Sequence, residues 1–144
     1  MINTRMAFVI LLAFAFFLPA KSQTITCDKL HNGIFYYYVP HSNKVFKIIR
    51  HNSEQNEIDL ETSDTSSWKV SWKESCSVNL LLSKTTKAYP EDQLNFMKSH
   101  TLTIKILIVT NKFYTFFGSI DVDGKKMGQL QDTMWFKPKN VDTK

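Results

Sequence analysis

Between Trp68 and Lys73 the chain alternates strictly, with Trp68, Val70 and Trp72 separated by Lys69, Ser71 and Lys73. A period of two sends successive side chains to opposite faces, so this segment is satisfied by a strand with one buried and one wet face. The same habit recurs along the chain. Phe46 and Ile48 share one parity, as do Ile58 and Leu60, then Val78, Leu80 and Leu82, then Leu102, Ile104, Ile106 and Ile108. Further strands are predicted at Gly33 to Val39, at Phe113 to Val122 and at Lys125 to Phe136, separated by short turn-forming segments. Asp123-Gly124 is the strongest hairpin signal, because both central residues of a type I′ turn need positive φ. Ala88 to Ser99 breaks the pattern, and Leu94, Phe96 and Met97 are expected to form a helical turn or a cap over the core. The expected fold class is all-β, with seven or eight antiparallel strands in an up-and-down barrel. A two-sheet sandwich is the alternative; closure removes exposed strand edges and favours the barrel.

The first residues are read separately. Arg5 precedes an unbroken apolar run from Ala7 to Leu18, Pro19 breaks it, and Ala20-Lys21-Ser22 follows with small residues where a signal peptidase reads. That run is too short to cross a bilayer, which needs about 20 apolar residues. Residues 1–22 are therefore expected to be a signal peptide, residues 23–136 one barrel domain, and residues 137–144 a flexible tail. The expected location is secreted or periplasmic, with no stable membrane insertion after cleavage. Cys27 and Cys76 form an even pair in an exported chain, which reads as a disulfide. Loss of Arg5 and Lys21 lowers the formal charge from +5 to +3. The remaining lysines are scattered among acids, and no dense basic patch of the kind that neutralises phosphates is present, so nucleic acid is not an expected partner.

The register of the second and third strands turns on loop length. A three-residue loop, Asn52-Ser53-Glu54, sets Ile48 opposite Ile58, Phe46 opposite Leu60 and Lys47 opposite Asp59. A two-residue loop sets Ile48 opposite Glu57. Matching apolar faces favours the longer loop.

The chain carries Cys27, Gly33-x-Phe35-Tyr36, Ile48-Ile49-Arg50, Gln55-x-Glu57, Val70-x-Trp72-x-x-x-Cys76 and Leu80, then Lys105-Ile106, Tyr114 and Gly128. In these elements it resembles a family of short exported bacterial proteins, over nearly all of the mature chain. It departs at Ser75, where an acid is usual, and at Val78, where an aromatic is usual. The resemblance implies a small lipocalin-like barrel with one disulfide and implies no activity.

Arg50, Gln55 and Glu57 are the most suggestive polar group. They fit a rim site in which the planar guanidinium pairs with an anionic ligand group; a structural ion pair at a hairpin tip is the plainer explanation. Trp68, Trp72, Phe113, Phe117 and Trp135 are candidates for lining an apolar cavity, or for simply filling the core. Of the consecutive Tyr36, Tyr37 and Tyr38, at least one must face outward. His31, His41, His51 and His100 lack metal-ligand spacing, so neither a metal site nor a cofactor is expected. Asp121, Asp123 and Gly124 lack the later ligands of a calcium loop. With no nucleophile motif either, the expectation is a non-enzymatic binding module for a small apolar or amphipathic ligand. The alternative is a structural or interaction protein with a filled core that meets another macromolecule through its surface.

Overall fold

The computed structural model describes residues 26–139. The expected signal peptide and the last part of the expected tail lie outside the described residues. A 3-10 turn, Cys27–Leu30, leads into eight strands: β1 (Gly33–Tyr38), β2 (Val45–His51), β3 (Glu54–Asp59), β4 (Thr65–Glu74), β5 (Ser77–Thr85), β6 (Leu102–Val109), β7 (Phe113–Val122) and β8 (Lys125–Trp135). One helix, α1 (Glu91–Ser99), interrupts the meander between β5 and β6. Each strand pairs antiparallel with its sequence neighbours, and β8 returns to β1 to close the barrel. The sandwich alternative is thereby set aside.

Closure is uneven. β1 meets β8 through only two residue pairs, Tyr36 with Trp135 and Tyr37 with Met134. β5 meets β6 over four pairs, from Ser77–Lys105 to Leu80–Leu102. Helix α1 leans on β5, which β6 leaves uncovered beyond Leu80. The helix buries none of its residues, and Phe96 is 37% exposed, so it does not cap the core.

The two ends of the barrel differ. At one end lie the β2–β3, β4–β5 and β6–β7 turns, together with the 3-10 turn, whose Leu30 is buried. The Cys27–Cys76 disulfide fastens that turn to the β4–β5 hairpin. His31 stacks on Trp72 at 3.7 Å and reinforces the same join. The opposite end carries the β1–β2, β3–β4 and β7–β8 turns and the α1 connection. Asp123 and Gly124 adopt φ of 50° and 76°, the expected hairpin pair, and the Gly124 N–H donates to Asp121 Oδ1 at 3.0 Å. That contact gives Asp121 a turn-building role.

The predicted register of the second hairpin is overturned. Ile48 pairs with Glu57, Phe46 with Asp59 and Arg50 with Gln55, around the two-residue loop Asn52-Ser53. Asn52 takes φ of 53°, a conformation that asparagine tolerates better than most residues. Its N–H donates to Asn32 Oδ1 at 2.8 Å, which anchors the loop to the start of β1. The consequence is large, because a one-residue slip exchanges the faces of a strand. Gln55, Glu57 and Asp59 turn inward, while Ile58 lies outward and Leu60 is 52% exposed.

The core follows the remaining parities except at Ile108, expected to share the inward face of Ile104 and Ile106, which the register shift between Ile106 and Ile108 leaves 59% exposed. Phe35, Ile48, Val70, Val78, Leu80, Ile104, Ile106, Tyr114, Phe116 and Met134 are buried together. Phe35 meets Tyr114 edge to face at 5.6 Å, a favourable aromatic geometry.

Candidate functional site

The interior is not completely filled. A cavity of about 230 Å³ runs inside the barrel from Arg50, Gln55 and Glu57 towards Leu102, Gly118, Gly128 and Leu130. The former group belongs to the closed end; the latter lies towards the end that carries the α1 connection and the β7–β8 hairpin. Between them the walls are apolar, formed by Ile48, Leu80, Ile104, Phe116 and Met134. Gly118 helps to keep the space open. A Cβ there would approach Ile104 Cδ1 to 3.2 Å.

The floor is built from the hairpin whose register the loop sets. Arg50 is 3% exposed. Its Nε donates to Gln55 Oε1 at 2.8 Å, and its Nη1 donates to the Leu30 carbonyl at 2.9 Å. The guanidinium carbon stands 5.2 Å from the Phe35 ring centroid and 5.5 Å from that of Trp72, within cation–π range. Gln55 passes the chain of bonds on, its Nε2 donating to Glu57 Oε1 at 2.9 Å. Gln55 thus stands between the guanidinium and the carboxyl, which do not form a direct ion pair.

Burial pushes the Glu57 carboxyl above its usual range; Gln55, the Trp68 indole and the Arg50 charge, in that order, offset part of the rise. The Trp68 Nε1 is buried without a partner of good hydrogen-bonding geometry, although it lies close enough to Glu57 to favour the ionised form. What exposure Glu57 keeps is consistent with its place on the cavity wall. Burial also raises the Tyr114 phenol, whose oxygen faces Arg50. Higher in the barrel, Tyr37 donates to Asp132 Oδ2 at 3.0 Å, and burial with that carboxylate pushes its phenol up to about 12. Asp59 has a different task. Its Oδ1 accepts the N–H groups of Glu61 and Thr62 at 2.9 and 3.3 Å, which hold its carboxyl below the usual range and fix the β3–β4 turn.

The residues singled out from sequence divide into three groups. Arg50, Gln55 and Glu57 come together, but within the barrel and not on a rim. Trp68 and Trp72 share the inward parity of Val70 and pack against the core beside and beneath the floor. Phe113, Phe117 and Trp135 do not line the cavity. They alternate with the buried Tyr114, Phe116 and Met134, which places them on the outer face. There Phe113 and Trp135 pack ring to ring at 5.1 Å, and Lys139 Nζ lies 4.3 Å from the Trp135 ring centroid. Tyr37 faces inward, with Tyr36 and Tyr38 on the opposite parity.

Sequence reasoning missed Tyr114, Phe116, Met134 and Leu130. Phe113 to Phe117 is aromatic on both parities, so alternation alone cannot orient it. Gly118 carried the usable signal, since it shares the parity of Tyr114 and Phe116 and breaks the run on that side.

No model of a known protein family matches the chain, and no curated protein matches it.

Proposed function

We propose that this protein is an exported, non-enzymatic binding module that holds a small apolar or amphipathic ligand inside its barrel, in the manner of a lipocalin. The observation that carries the reading is the 230 Å³ cavity with apolar walls and a few convergent polar groups at one end, the usual constitution of a small-molecule site. A dry apolar cavity of ~150 Å³ admits benzene. The space here suits a molecule about half as large again. The disulfide fits an oxidising compartment, as does the expected export segment. The resemblance to short exported bacterial proteins agrees with both. The cavity also favours this reading over that of a filled core acting only through its surface.

The test is a methyl-resolved NMR titration of the natively produced chain with small amphipathic probes. Saturable shifts are expected at Ile48, Leu80, Ile104, Leu130 and Met134. Gly118→Leu places a side chain in the cavity and is expected to abolish those shifts while preserving the rest of the spectrum. Shifts confined to outer-face methyl groups such as Ile34 and Ile108 would refute the reading.

A further inference from the structure

We propose that the ligand of this cavity is a medium-chain monocarboxylate, seated with its carboxylate against Arg50 and its tail towards Leu130. The inference rests on the binding-module reading and adds the charge and direction of the ligand.

It starts from a buried cation. Among the described residues no carboxylate lies within ion-pair distance of Arg50. The inward acids are otherwise engaged. Asp59 holds the β3–β4 turn, Asp132 accepts from Tyr37, and Glu57 is separated from the guanidinium by Gln55. A buried charge without a counter-charge is costly, and the cost falls when an anion arrives. Two of the five guanidinium N–H groups are bonded to Gln55 and Leu30, and the Tyr114 oxygen lies beside the group as well. Phe35 and Trp72 attend its faces, and Arg50 itself lines the cavity. The planar fork is therefore held in place and suits the two oxygens of a carboxylate.

Glu57 supports the same direction. Burial disfavours its ionised form, which lessens the repulsion an incoming carboxylate would meet there. An ammonium head group would face the Arg50 charge. A dianion would meet one cation alone. Beyond the floor, the apolar walls suit a hydrocarbon tail, and the volume suits about ten non-hydrogen atoms in all.

The experiment compares octanoate, 1-octanol and octylamine by isothermal titration calorimetry on the full chain. Octanoate is expected to bind at least about tenfold tighter than octanol, with octylamine weakest. Arg50→Gln is expected to remove the advantage of octanoate and leave octanol unchanged. Arg50→Gln also withdraws a partner from the Leu30 carbonyl, so a measurement on the unaltered protein stands beside it. Intermolecular NOEs should place the octanoate C2 protons near Tyr114 and its terminal methyl near Leu130. Octanol binding as tightly as octanoate, or the opposite orientation, would overturn the head-group assignment and leave the binding module standing. Failure of all three probes to bind would overturn both.

Discussion

Glu57 shows how one residue can set the pH behaviour of the whole barrel. Its folded-state pKa is raised, chiefly by burial. An acid of that kind costs nothing while it is protonated in both states. As pH rises from the ordinary glutamate range to the raised native value, the unfolded chain releases its proton more readily than the folded one, and stability falls. Glu57→Gln keeps an oxygen to accept from Gln55 and removes the charge. The melting temperature of Glu57→Gln relative to wild type should therefore climb as pH rises through that window and show little difference below it. Asp59 acts with the opposite sign. Its lowered pKa contributes stability that is present above the ordinary aspartate range and lost on acidification through the native value. Thermal scans over pH separate the two, because Glu57→Gln removes only the decline that accompanies rising pH and leaves the acid loss in place.

Among the elements, the 3-10 turn Cys27–Leu30 is the smallest and supports the most. It closes one barrel end, offers the Leu30 carbonyl to Arg50, and is tied to the β4–β5 hairpin across a separation of 49 residues. A loop of that length makes the cross-link worth about 4 kcal/mol in the chain-entropy model. The Cys27→Ala, Cys76→Ala double variant should lose stability of that order in urea unfolding, and the chemical shifts around Arg50 should change with it. Most of the elements could be read from the sequence, because alternation in β4, β5 and β6 is governed by burial of one face and the Asp123-Gly124 turn by backbone sterics. The disulfide was legible from the cysteine count and the expected export. The β2–β3 register was not. Matching Ile48 to Ile58 assumes an apolar interior, whereas this interior contains Arg50, Gln55 and Glu57. The candidate site was legible as a set of residues for the same reason that its location was misread: these polar side chains stood out, and their hydrogen bonding to one another makes burial tolerable.

For the molecule as a whole, stability is not spread evenly around the barrel. The β1–β8 seam holds two residue pairs, and residues from Lys125 to Gln131 are exposed along β8. Met127 and Leu130 are 54% and 41% exposed there. Lysines at 125 and 126 discourage this free edge from pairing with another sheet. Amide exchange should be fastest in the first half of β8 and slowest around Val78, Leu80 and Tyr114, where burial is greatest. Uniform protection along β8 would contradict that ordering. The arrangement of the strand ends has a practical corollary. The polypeptide enters β1 and leaves β8 at the disulfide-fastened end, while Gly118, Gly128 and Leu130 lie towards the other. A tether attached ahead of Cys27, whether an affinity handle or a solid support, would hold the molecule by its disulfide-fastened base, with Gly128 and Leu130 directed away from it.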